Sequence, residues 1–178
     1  MKSKLLTSAT AAIALTAMAS TVAAEPYADV VAFSALGPNS ANDPTAALGR
    51  GDNNSVALGT GGVLIVEFTD NRLVNDTGLD LRIMERGGVA DYNVQISMDN
   101  IDYINLGDVQ KWKDFELTPY LVTPADQFRF VKITSLSTSG NGPEIDYVGA
   151  RNSIDVPVPE PASLALLGLG SLALLRRR

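Results

Sequence analysis

One eight-residue stretch constrains the fold most. Tyr92, Val94, Ile96 and Met98 alternate with Asp91, Asn93, Gln95 and Ser97. Period two describes a strand with one dry and one wet face and is incompatible with an amphipathic helix. Other runs agree. Val63 to Phe68 is apolar apart from Glu67, as a central strand would be. Leu79, Leu81 and Ile83 mark a strand, and Phe128–Ile133 and Ile145–Ala150 mark two more. Shorter candidates are Val30–Phe33, Ser55–Leu58, Tyr103–Leu106 and Phe115–Thr118. No proline interrupts the chain between Pro44 and Pro119, which permits inner, hydrogen-bonded strands. Gly- and Asx-rich punctuation separates the runs at 51–54, 59–62, 87–88, 99–100 and 140–142. The expected fold is all-β, an antiparallel sandwich or jelly roll. The only helical hint is Val109, Trp112 and Phe115, spaced for one short turn.

Composition narrows the chemistry. The 178 residues contain no Cys and no His. Ser-His-Asp and Cys-His catalysis, disulfides, iron–sulfur clusters and His-ligated metals are therefore excluded. Nine of the 14 basic residues and 19 of the 20 acidic ones lie between Glu25 and Asp155, so that span carries −10. Nucleic acid is not the expected partner. Nothing singles out two converging carboxylates for hydrolysis, so no enzyme is expected.

Both ends read as addresses. Lys2 and Lys4 precede an apolar, Ala-rich run from Leu5 to Ala19, and Val22-Ala23-Ala24 offers small residues for cleavage before Glu25. This is the pattern of a secretory leader, residues 1–24, removed by signal peptidase between Ala24 and Glu25. The other end, 156–178, reads Val158-Pro159-Glu160-Pro161, an uncharged run from Ala162 to Leu175, then Arg176-Arg177-Arg178. Fourteen helical residues span ~21 Å, short of a ~30 Å hydrocarbon core, so this transmembrane helix is a transient anchor. The Arg cluster would stay cytoplasmic and leave everything before it outside. Pro159 and Pro161 keep the segment before the helix extended.

That tail resembles the PEP-CTERM sorting signal of exported proteins in Gram-negative bacteria that make exopolysaccharide. The resemblance implies processing by an exosortase near Val158–Pro161, export across the inner membrane, and a final place in the cell envelope or outside it.

The middle, 25–155, resembles discoidin-like (galactose-binding-like) domains. Val94–Gly107, "VQISMDNIDYINLG", resembles their central hairpin, with Asn100 where glycine is usual. Ala46–Gly49, Ser55–Phe68, Gly78–Glu85, Phe128–Thr134 and Glu144–Ala150 follow in the expected order. The resemblance implies a structural calcium, and the expected role is weak or multivalent binding of surface or matrix polysaccharide. Glu85 and Asp146 share phases with apolar neighbours, and a core-facing carboxylate needs a partner. With Asp80 they form the candidate calcium set. The alternative is pairing with Arg82, Arg129 or Lys132. The Asx-rich stretch Asn39–Asn54, with Asp43 and Asp52, is a second candidate. For a glycan, Trp112 between Lys111 and Lys113, with Tyr120 beyond, offers an aromatic platform beside cations. The alternative is that Trp112 plugs the core. A different class of function is an acidic structural matrix protein with no defined ligand site.

Overall fold

A computed structural model of the chain describes residues 24–120 and 122–156. The expected leader, helix and Arg-terminated tail fall almost wholly outside the described residues. No helix among the described residues is long and apolar enough to cross a membrane.

The described chain is an antiparallel sandwich. Its strands are β1 (Val30–Ala35), β2 (Val56–Ala57), β3 (Val63–Glu67), β4 (Asn71–Leu73), β5 (Leu81–Glu85) and β6 (Asp91–Ser97), followed by β7 (Tyr103–Gln110), β8 (Lys113–Phe115), β9 (Phe130–Ser135), β10 (Glu144–Ala150) and β11 (Ser153–Asp155). One sheet runs β1-β3-β9-β6-β7, the other β2-β10-β5-β8, and β11 pairs with β4. The core lies between the two larger sheets. Leu64, Val66, Tyr92, Val94, Ile96, Val131 and Ile133 enter it from one side, and Val56, Leu81, Ile83, Ile145, Val148 and Ala150 from the other. The period-two residues Tyr92, Val94 and Ile96 are fully buried, as alternation requires.

The hairpin between β6 and β7 closes where the Asx pair predicts. Asn100 adopts a left-handed φ of 66°, which Asn tolerates better than most residues. The Ser97 hydroxyl accepts from the Asn100 N–H at 2.9 Å, and Asp99 Oδ1 accepts from Ile101 and Asp102 at 2.9 and 3.0 Å. Met98 is exposed at the hairpin, and Tyr103 opens β7 opposite Ser97. Its ring lies 4.2 Å beneath Lys132 Nζ, and its hydroxyl donates to Asn100 Oδ1.

Three expectations change. Leu79 is exposed, because β5 begins only at Leu81. The segment 109–115 makes no helical turn, since Lys111 takes φ 59° and returns β7 into β8. Tyr92 fixes that return from inside the core, its hydroxyl donating to the Lys111 carbonyl. The strand expected over 115–118 ends at Phe115, and a 3-10 turn follows at Thr118–Tyr120.

The start of the described chain joins the two sheets. The Ala150 N–H donates to the Pro26 carbonyl at 2.7 Å and the Ala28 N–H to Val148 at 2.9 Å, which lays Tyr27 beside Gly149. The Asp29 N–H then donates to Glu67 of β3. The far end returns to the same place, for Asn71 pairs with Asp155 and its side-chain amide donates to the Glu25 carbonyl.

Candidate functional site

The three candidate calcium ligands are buried but do not converge. Asp80 and Glu85 sit at opposite ends of β5, roughly 16 Å apart along the strand. Protein donors fill the Asp80 carboxylate: the Asp76 N–H (3.0 Å) and the Asn152 amide (2.8 Å) on one oxygen, the Leu117 N–H (2.8 Å) on the other. It is a clip that ties three loops, not an open oxygen ligand. Glu85 accepts from the N–H groups of Gly88 and Glu144 at 3.2 and 3.3 Å. Asp146 sits where β10 bulges against β5, and it pairs with Arg86 at 2.6 Å. That partner is neither Arg82, Arg129 nor Lys132. In the second candidate stretch, Asp43 caps the short 3-10 turn through Thr45, and Asp52 accepts from Asn54. Among the described residues no group of three or more acids is arranged to hold a metal.

The three candidate glycan residues separate too. Tyr120 is half-buried against the core, and its hydroxyl donates to the Leu106 carbonyl at 2.7 Å. Lys113 pairs with buried Ile83 and takes the opposite phase from Asp114 at the sheet edge. Trp112 does not plug the core. It is 54% exposed, with the Arg82 guanidinium 5.5 Å from its ring centroid.

Arg82 leads from Trp112 to a site that the sequence did not single out. Arg82 on β5 lies opposite Asp114 on β8 and Gly149 on β10. All three occupy the outer face of the four-stranded sheet, as do Trp112 and Tyr147 by alternation. Arg82 grips Asp114 with two parallel hydrogen bonds of 2.6 and 2.7 Å. Arg151 approaches the same carboxylate at 3.2 Å. These hydrogen bonds hold the Asp114 carboxyl below its usual range and raise the Arg82 pKa further above its already high value. Two guanidinium groups thus approach one carboxylate.

A recess of about 200 Å³ opens beside them, lined by Pro26, Tyr27, Arg82, Tyr147, Gly149, Ala150 and Arg151. Gly149 contributes bare backbone to its floor. A Cβ there would make ordinary van der Waals contact with the Pro26 carbonyl and the Tyr27 ring at 3.4 Å, so a side chain longer than alanine's would fill the space. Its aromatic wall is an edge-to-face pair, Tyr27 and Tyr147, with centroids 5.4 Å apart and planes at 87°. The site is thus a small recess with aromatic walls and a cationic rim. Tyr147 was visible only as a strand residue, and Tyr27 lies in no strand pattern.

Residues 157–178 match the PEP-CTERM protein-sorting motif. Proteins with this motif are exported and associated with the cell envelope. Among solved structures, the sandwich is similar to the CBM32 of AlyQ in complex with 4,5-unsaturated mannuronic acid. That match has 12% identity and a TM-score of 0.48, and covers 69% of this chain and 96% of that one. It is also similar to CBM32-1 from a family 31 glycoside hydrolase from Clostridium perfringens, with 15% identity, a TM-score of 0.49, and coverage of 72% and 100%. No curated protein matches the chain. The chain is an all-β sandwich that ends in a PEP-CTERM sorting motif.

Proposed function

We propose that this is a non-enzymatic envelope or matrix protein whose sandwich, residues 25–155, holds polysaccharide in the recess beside Tyr147. Signal peptidase would cut between Ala24 and Glu25, leaving Tyr27 as the third residue of the mature chain. The tail would enter the inner membrane transiently, with Arg176–Arg178 cytoplasmic, until an exosortase cuts near Val158–Pro161. The observation that carries the binding role is the recess itself. Two tyrosines and two arginines line it together with Gly149, and the exposed Trp112 lies outside the lining, stacked on Arg82. Sugars bind through C–H faces laid on aromatic rings, with hydrogen bonds from rigid polar groups at the edge, and this recess supplies both.

The test is co-sedimentation of the full chain, in mild detergent, with exopolysaccharide from the producing organism. Tyr147→Ala is expected to lower retention about tenfold, the equivalent of ~1.4 kcal/mol. Equal retention of both proteins would remove the recess from the account. Failure of the wild type to be retained would favour the acidic matrix role, to which the −10 of the middle span is suited.

A further inference from the structure

The recess holds more positive charge than a neutral sugar needs. Arg82 and Arg151 share the single carboxylate of Asp114, so the trio carries one surplus positive charge. That surplus stands in a span whose net charge is −10. The two terminal nitrogens of Arg151 have no hydrogen-bond partner among the described residues, although its Nε reaches Asp114. A guanidinium edge with unused N–H groups matches a carboxylate, which can accept two parallel hydrogen bonds. The backbone of Arg151 is pinned, its N–H donating to the Asp80 carbonyl at 2.6 Å. Arg82 is held by Asp114 on one side and stacked over Trp112 on the other. Both cations are therefore positioned before a ligand arrives, which lowers the ordering cost of binding. At about 200 Å³ the recess is smaller than the roughly 300–1,000 Å³ clefts that enclose drug-sized ligands. It suits one sugar ring of a chain that continues across the surface.

We infer that the recess selects an acidic sugar, a uronate, seated against the tyrosines with its carboxylate on Arg151 and the rim of Arg82. The inference rests on the polysaccharide role proposed above and names its ligand class. Arg151 supplies the charge, Gly149 the space and the tyrosines the ring contact. The other acids of the span do not prevent this. At 0.15 M salt the screening length is about 8 Å, so their repulsion fades while direct contact in the recess persists.

The experiment compares retention of the full chain, in mild detergent at 0.15 M salt, on polygalacturonate and on its methyl ester. The ester keeps the backbone and removes the charge. The organism's own exopolysaccharide is run alongside. The expected result is about tenfold stronger retention on the acid, the size of one charge-assisted contact. Arg151→Ala should abolish that preference while weak retention on the ester survives. Gly149→Leu should remove retention on both by filling the floor. Its melting temperature, held near that of the wild type, excludes a folding defect. Equal retention on acid and ester, with Arg151→Ala silent and exopolysaccharide still bound, overturns the acidic-sugar assignment and leaves the polysaccharide role standing. No retention on polygalacturonate, its ester or exopolysaccharide overturns both.

Discussion

The two outer faces of the sandwich use the same chemistry to different ends. On the five-stranded sheet, Lys132 covers the Tyr103 ring, Arg129 lies over Phe130 and pairs with Glu67, and the Asn93 amide bridges Asn105 and Asp108. Each of these polar and cationic groups meets a partner along the strand or across it. The four-stranded sheet also stacks a cation on a ring, Arg82 on Trp112. There, however, an irregular segment, Pro26–Ala28, lies along β10 where Gly149 has no side chain. The overhang and the missing side chain make a hollow that no pair of regular strands would make. The face proposed to bind differs from the flat face by its relief and by one unbalanced charge, not by its residue types.

The sharpest way to break this contrast is at Asp80. The recess side depends on that buried carboxylate, which joins the loops at Asp76, Leu117 and Asn152, beside Arg151. Among the described residues, no acid on the five-stranded face is as fully buried. Asp80→Ala leaves three donors without their acceptor in a closed site, at ~1–3 kcal/mol each. Unfolding in urea should show a loss on the order of 3–6 kcal/mol, with retention falling as the Arg151 corner loosens. A loss under about 1 kcal/mol would mean that water replaces the carboxylate, and Asp80 would cease to explain the corner.

A smaller effect is expected at Asp114, and its sign follows from linkage. Hydrogen bonds from Arg82 lower the Asp114 pKa in the folded state. The stability it contributes is therefore complete above the ordinary value of 3.8 and is lost as pH falls through the lowered one. The carboxylate is partly solvated, so the contribution is below ~1 kcal/mol. Asp114→Asn should melt lower than the wild type at pH 6, and the two curves should converge towards pH 2. Asp70 runs the other way. Burial, then the neighbouring Asp29, raise its pKa, so it favours the fold when protonated and detracts as pH rises. A gap between wild type and Asp114→Asn that persists unchanged at pH 2 would show that the asparagine perturbs packing rather than charge.

Much of the fold was legible because alternation and turn chemistry are local. The strand at Tyr92–Ile96 and the turn at Asn100 follow from side-chain phase and from a residue that accepts positive φ. The site was less legible, because it is assembled at long range. Nothing near Tyr27 announces that it will lie on Gly149, 122 positions away. The phase of Asp146 misleads as well. Reading it with Val148 and Ala150 assumes a regular strand, whereas the bulge after Ile145 buries Ile145 and Val148 together and leaves Asp146 to Arg86. For Trp112 the sequence leaves a platform and a core plug both open, and the fold exposes the ring. Its neighbour on that face, Arg82, comes from another strand, whereas Lys113 takes the phase of Ile83 and Tyr120 is bonded to Leu106.

The smallest expected effect is the most discriminating. Lys132→Ala removes the cation from the Tyr103 ring on the flat face, a contact worth ~0.5–1 kcal/mol at a partly exposed site. Stability should fall by no more than that, and retention on exopolysaccharide or polygalacturonate should not change. Tyr103 would then be a half-exposed ring beside a hairpin, with the same π-face as Tyr147 but no floor beneath a bound sugar. If Lys132→Ala weakened retention as much as Tyr147→Ala, a cation beside an aromatic ring would be enough for binding, and the hollow over Gly149 would be incidental. If only the Tyr147 variant fails, shape decides. The binding property then resides in one glycine and in the few residues of chain that cross it.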